Sequence, residues 1–267
     1  MPQISVNDIT IHYEESGEGL PVILIHGHPF DATMWSPQLY SAFPGYRLLA
    51  PELRNFGRTT SPVRPADLGV YARDIFDFAD SLGLQKFIVA GLSMGGQVAM
   101  ELANVNPERL SGLVLADTFA QLDTPEKKQW RYALADRLDT EGLQAYAVEV
   151  LPKMLSARSI AENPTLASEV LLMMQRCPAQ GAADALRVRA ERRDYLPVLS
   201  ELDLPTLIVV GSEDAFTSIA DAELMQRGIR NSTMVIIEDA GHMPNMEKPD
   251  QFNEALKNFL ALIGKKS

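Results

Sequence analysis

Three side chains from distant points in the chain have the types that together carry out acyl transfer. Ser93 stands at the centre of Gly91-Leu92-Ser93-Met94-Gly95, a G-x-S-x-G pentapeptide. A serine hydroxyl is a weak nucleophile until a base takes its proton. The chain offers His12, His26, His28 and His242 as bases. His242 follows the apolar run 234–237 directly, in Asp239-Ala240-Gly241-His242-Met243, and is the favoured base. The imidazole in turn needs a carboxylate to fix its tautomer and stabilise its charged form. Asp214, in Val210-Gly211-Ser212-Glu213-Asp214, is the preferred acid. Spacing alone does not separate it from Glu213. Asp117, beyond the run 113–116, is a third candidate, whose alternative role is capping the start of the segment that follows it.

Local context supports the serine. The apolar run 87–90 leads straight into the pentapeptide, and a helical pattern with Gly95-Gly96 at its start follows. A strand, a sharp turn and a helix put one residue at the apex, with helix N-terminal N–H groups aimed at negative charge forming there. The Met94 amide, next after the nucleophile, is one expected oxyanion donor. The second is expected from the loop after the run 22–25, in His26-Gly27-His28-Pro29-Phe30, and is assigned to the His28 amide. Losing one such donor typically costs about 2.7–4 kcal/mol of barrier.

For these residues to meet, the chain must bring several strand ends to one rim. Its pattern does so. Ile4, Val6, Ile9, Ile11 and Tyr13 alternate with polar residues around Asn7-Asp8, the signature of a β-hairpin. Continuous apolar runs at 21–25, 46–50, 87–90, 113–116, 207–210 and 234–237 read as strands buried on both faces. Helical periodicity separates many of them, as at 71–82, 95–106 and 249–260. Parallel strands expose their C-terminal ends together, so Ser93, Asp214 and His242 share one edge. The alternation stops between Asp117 and Leu204. That stretch carries helical patterns at 126–138, 143–151, 165–176 and 181–193, with Pro152, Pro164 and Pro178 as breaks. The expected organisation is a core domain of residues 1–117 and 204–267, with a helical cap over 118–203.

Bulk properties narrow the function classes. The chain has 267 residues, 46% of them hydrophobic, enough for one large core. Its net charge of -11 repels phosphate backbones and anionic lipid, which disfavours nucleic-acid and membrane partners. With Cys177 as the one cysteine, an intrachain disulfide is ruled out and a buried, inert thiol is expected. The N-terminus shows no leader pattern and no apolar run is long enough to span a bilayer, so a cytoplasmic protein is expected. Self-association into a homo-oligomer is left open.

His26-Gly27-His28-Pro29, the turn at Ser93, Gly211-Ser212-Glu213-Asp214 and Gly241-His242-Met243-Pro244 together resemble the α/β-hydrolase superfamily over nearly the whole chain. Within it, the sequence is similar to small bacterial carboxylesterases and β-ketoadipate enol-lactone hydrolases. The run Pro51-Glu52-Leu53-Arg54-Asn55-Phe56-Gly57-Arg58 resembles the family's Asp-x-Arg-Gly-x-Gly-x-Ser turn and departs from it at Glu52 and Asn55. The resemblance implies an eight-stranded, mostly parallel sheet with helices on both faces and a helical cap. It also implies a serine hydrolase acting on esters or lactones of small molecules, with no metal or organic cofactor. Carbon–carbon bond hydrolases, perhydrolases and small-molecule receptors share the same three residues and stand as alternatives. Phe30, Phe119 and Phe216 adjoin strand ends and are candidate substrate contacts. Arg187, Arg189, Arg192 and Arg193 are expected on a solvated face, with a carboxylate-bearing substrate as the alternative.

Overall fold

A computed structural model describes residues 2–264. Eight strands form one sheet: β1 (Gln3–Val6), β2 (Ile9–Gly17), β3 (Leu20–Ile25), β4 (Tyr46–Pro51), β5 (Phe87–Leu92), β6 (Leu110–Ala116), β7 (Thr206–Gly211) and β8 (Ser232–Ile237). Their spatial order is β1-β2-β4-β3-β5-β6-β7-β8. The hairpin β1–β2 and the β2–β4 pair are antiparallel; every other neighbour pair is parallel. The apolar texture explains this layout. Val22, Ile23, Leu24 and Ile25 are all fully buried, because a central parallel strand is covered on both faces. Asn7 turns the hairpin with φ 46, a conformation asparagine tolerates.

Twelve α-helices accompany the sheet among the described residues: α1 (Ser36–Leu39), α2 (Leu68–Ser81), α3 (Met94–Val105), α4 (Pro125–Glu141), α5 (Gln144–Met154), α6 (Ala157–Glu162), α7 (Pro164–Arg176), α8 (Ala179–Ala190), α9 (Leu196–Glu201), α10 (Ile219–Gly228), α11 (Pro244–Glu247) and α12 (Pro249–Gly264). α2 and α3 pack on each other, while α12 packs on β7, β8 and α1. The long stretch between β6 and β7 is entirely helical, α4 to α9, as the break in alternation predicts. Within it α4 packs chiefly on α8, and α5 on α7.

Some local features differ from the sequence reading. Pro152 lies inside the last turn of α5 rather than ending it. The hydrogen bond it forfeits is to the carbonyl of Val148, a residue on the exposed side of the helix, where water can serve instead. Five helices, α1, α6, α9, α10 and α11, are not foreseen. α1 and α11 have four residues each and α6 and α9 six each, too short for a periodicity to develop. α10 does carry a legible start: Ser218 and Asp221 form a capping box.

The turn after β4 is built around its two departures. Asn55 adopts φ 63, again left-handed. The Glu52 carboxylate fills the space over Gly57, where a Cβ would collide with it, and accepts from the Arg58 amide at 2.6 Å. Burial pushes the Glu52 carboxyl up to about 7. Arg54 is clamped between Asp74 at 2.7 Å and Asp8 at 2.9 Å. Cys177 is buried, and burial pushes its thiol well above the usual range.

Candidate active site

Ser93 is where β5 stops and α3 begins. Its backbone sits at φ 55, ψ -112, a region costly for any side-chain-bearing residue. The neighbouring glycines allow this. A Cβ on Gly91 would strike the Gly95 carbonyl, and one on Gly95 would strike the Ile25 carbonyl. Two hydrogen bonds hold the turn: Ser93 N–H donates to the Ala116 carbonyl at 2.8 Å, and Thr118 Oγ1 donates to the Ser93 carbonyl at 2.7 Å. The Met94 N–H opens α3, where no helical carbonyl can receive it. Gly27 brings the loop after β3 against the turn: a Cβ there would lie 3.5 Å from the Ser93 Cβ. His28 follows in that loop. Its buried ring contacts the Ala182 carbonyl at 3.0 Å through Nε2, which requires Nε2 to carry the proton. Burial, with Arg189 adding, holds this imidazole well below its ordinary pKa. Neighbouring His26 is likewise depressed by burial, to about 4, and its Nε2 accepts from the Leu53 amide at 3.0 Å. His12 is half-buried in β2, away from the cavity.

His242 lies in the loop after β8 and its ring is almost fully enclosed. Its Nδ1 meets Asp214 Oδ2 at 2.8 Å. A carboxylate only accepts, so Nδ1 carries the proton and Nε2 keeps a lone pair. The other Asp214 oxygen accepts from the Phe216 amide at 2.8 Å, and the Phe216 ring packs 4.8 Å from the imidazole. Glu213 points to solvent, which separates the two adjacent acids. Asp117 is not a helix cap; Thr124 caps α4 instead. Asp117 is buried with φ 46, and its Oδ1 accepts from the Gly211 amide at 2.8 Å, joining the ends of β6 and β7. One ligand atom each from Asp117, Asp214 and His242 falls within 4.8 Å of the others. Burial first, and the Asp214 charge second, raise the Asp117 carboxyl well above its ordinary pKa.

Ser93 and His242 line one small cavity of about 50 Å³. Phe119 and Phe216 line it too, with Trp130, Tyr146 and Met154. Phe30 does not: it is fully buried in the core, because the loop after β3 turns its ring inward. Two of the four arginines expected at the surface are also elsewhere. Arg189 and Arg192 are buried, Arg187 is half-buried and Arg193 exposed. The packing of α8 against α4 turns them inward. Lys127 lines the cavity 4.1 Å from the centre of the Phe119 ring. Burial lowers its amine to about 8, with Arg131 adding to the shift.

A sequence profile of the alpha/beta hydrolase family matches residues 22–255. The chain belongs to that family. The alpha/beta hydrolase fold is matched closely by an esterase from Thermogutta terrifontis solved with malate bound: TM-score 0.95, 35% identity, covering 98% of this chain and 99% of that one. The enol-lactonase from Burkholderia xenovorans superposes with TM-score 0.90 at 25% identity, over 97% of this chain and all of its own. The 3-oxoadipate enol-lactonase 1 of Acinetobacter baylyi is 30% identical over 87% of this chain and 85% of that one. Of these three relatives, one is named an esterase and two are named enol-lactonases. No helix among the described residues is long and apolar enough to cross a membrane.

Several residues of the site escape a reading of motifs. Thr118 gives no signal beyond following Asp117. Gln97 stands four residues after Ser93, so one helical turn on, and that spacing could have found it. Glu247 reaches across elements: Oε1 accepts from the Gly241 amide at 2.8 Å and Oε2 from the Ser156 amide at 2.8 Å. It ties the histidine loop to the start of α6, and no local pattern announces it.

Proposed function

We propose that the protein is a cytoplasmic enzyme that hydrolyses esters or lactones of small molecules through an acyl-enzyme on Ser93. Asp214 and His242 complete the machinery in this reading, the Met94 and His28 amides hold the oxyanion, and residues 118–203 act as a cap over the cavity. One observation carries the proposal: the 2.8 Å contact that leaves His242 Nε2 available, in a ring that lines the same cavity as Ser93.

The reaction runs in two halves. His242 Nε2 takes the Ser93 hydroxyl proton as Oγ attacks the carbonyl carbon. The carbonyl oxygen becomes negative, and two amide donors receive it. As the bond to the alcohol oxygen breaks, the imidazolium returns its proton to that oxygen. A water then attacks the acyl-enzyme, giving its proton to the same nitrogen, and the serine leaves with it. For a lactone the alcohol stays tethered, and the product is a hydroxy acid. The nucleophilic, acid–base and oxyanion groups required are all supplied by side chains and backbone.

Hydrolysis of p-nitrophenyl acetate and of a panel of simple lactones tests the reading. The wild type should turn over many times per site, and Ser93→Ala and His242→Ala should lose nearly all activity, a fall of roughly 10⁶-fold in kcat for a nucleophile or base acting in such a unit. Unaltered turnover in Ser93→Ala would remove the proposal.

A further inference from the structure

The cavity holds more positive charge than ester hydrolysis uses. Lys127 and Arg131 on α4 and Arg189 on α8 all line it with Ser93 and His242. Two of these cations are matched. Arg131 meets Asp123 at 2.5 Å, and the same carboxylate takes Arg192 at 2.7 Å. Lys127 lies 4.0 Å from Asp123, with its amine over the Phe119 ring. Arg189 is different. It is 7% exposed, and its Nε donates to Gln97 Oε1 at 2.9 Å. Among the described residues no carboxylate stands within ion-pair distance of it; Asp123, an acid whose charge bears on it, is committed on both oxygens to Arg131 and Arg192. Gln97 is fully buried, lines the cavity, and has no partner for its Nε2 among the described residues.

Buried cations and amides are ordinarily paired, because an unmatched one forfeits its hydration without compensation. Here the two residues that bear the unmatched donors both line the cavity with Ser93. Gln97 is one helical turn from Ser93, which sets the two side chains roughly 5–6 Å apart at Cβ. We infer that Arg189 and Gln97 form an anion subsite, and that the preferred ester or lactone carries a second, free carboxylate seated there. The guanidinium fork suits the two oxygens of a carboxylate, and the Gln97 amide supplies a further donor. The carboxylate would give Arg189 the counter-charge the protein withholds. The identity of the reacting bond rests on the hydrolase reading above; the anion subsite does not.

Two measurements test this. Calorimetry on Ser93→Ala should show glutarate binding and neutral butyramide binding about tenfold or more weakly, the margin expected of a charge-assisted hydrogen bond. Adding Arg189→Gln should remove the difference. In kinetics, the wild-type ratio of kcat/KM for monoethyl glutarate over ethyl butyrate should exceed one, and should fall about tenfold or more in Arg189→Gln, chiefly through KM. Gln97→Glu guards against misfolding: its carboxylate pairs with Arg189 internally, so the protein should stay folded while losing the same preference. O-acetyl-3-hydroxypropanoate, set against ethyl acetate, reports whether the carboxylate is taken on the alcohol side. If both wild-type ratios are at or below one and glutarate does not bind Ser93→Ala, the subsite is refuted while ester hydrolysis stands. If glutarate binding depends on Arg189 but no ester or lactone is cleaved, the subsite stands and the hydrolase reading fails.

Discussion

At the residue scale, the informative comparison is between two acids close to one histidine. Asp214 touches His242 Nδ1, whereas Asp117 touches the Gly211 amide and has its carboxyl raised by burial. Replacing a carboxylate by a carboxamide therefore has different consequences at the two positions. Asp214→Asn offers the imidazole a donor as readily as an acceptor and permits the wrong tautomer, so kcat should fall by about 10⁴-fold. Asp117→Asn keeps an oxygen that can still accept from Gly211 N–H. Its kcat should fall by less than about tenfold, since only a hydrogen bond of about 1 kcal/mol is perturbed. Steady-state rates of the two variants on one ester check this, and reversed magnitudes would move the acid role to Asp117. The sequence could offer both residues, because both follow apolar runs. It could not order them fully, because the choice lies in which oxygen reaches the ring.

At the scale of elements, the strands and the turns at their ends were the most readable part of the chain. Continuous burial imposes an unbroken apolar run, and the close backbone approaches at Gly91 and Gly95 leave no other residue possible. The helical stretch α4–α9 was readable as helix but not as lining. Whether Arg189 faces solvent or the cavity depends on how α8 docks on α4, and local pattern does not encode that. Glu247 shows the same limit. Its two oxygens serve two amides from different elements. Glu247→Gln keeps one acceptor oxygen and leaves one of those amides unpaired, a cost of about 1–3 kcal/mol. Since Gly241 precedes His242, the histidine loop should also lose definition, and a misplacement of 1 Å can cost about 10²-fold. A reduced unfolding midpoint together with reduced kcat is the expected pair of results. A normal kcat in a destabilised variant would confine Glu247 to a structural role.

At the scale of the whole molecule, Glu52 links stability to pH. In the folded protein its carboxyl holds a proton up to about 7, while in the unfolded chain it releases it near the ordinary value of about 4.3. Unfolding therefore releases a proton across that window. The contribution of Glu52 to stability is complete below the unfolded value and is lost as pH rises through about 7. His26, held neutral by burial down to about 4, works in the opposite sense: it favours unfolding as pH falls below the ordinary histidine value. The two slopes offset each other between them, so the wild-type curve hides both. Glu52→Gln removes one. Its unfolding free energy relative to wild type should rise between pH 5 and 8, which denaturant titrations at several pH values will show; a constant difference would mean Glu52 is ionised throughout.

The backbone of Ser93 carries a thermodynamic consequence of its own. The φ of 55 is held by the contacts around it, against a local preference of about 1–3 kcal/mol. Glycine accepts that conformation without penalty and loses about 0.5–1 kcal/mol through the extra freedom of its unfolded chain. Ser93→Gly should thus melt at a higher temperature than the wild type, while Ser93→Ala, which keeps the Cβ, should not. The proposed chemistry and thermal endurance oppose each other at this one position, and a chain selected for endurance alone would discard the hydroxyl there.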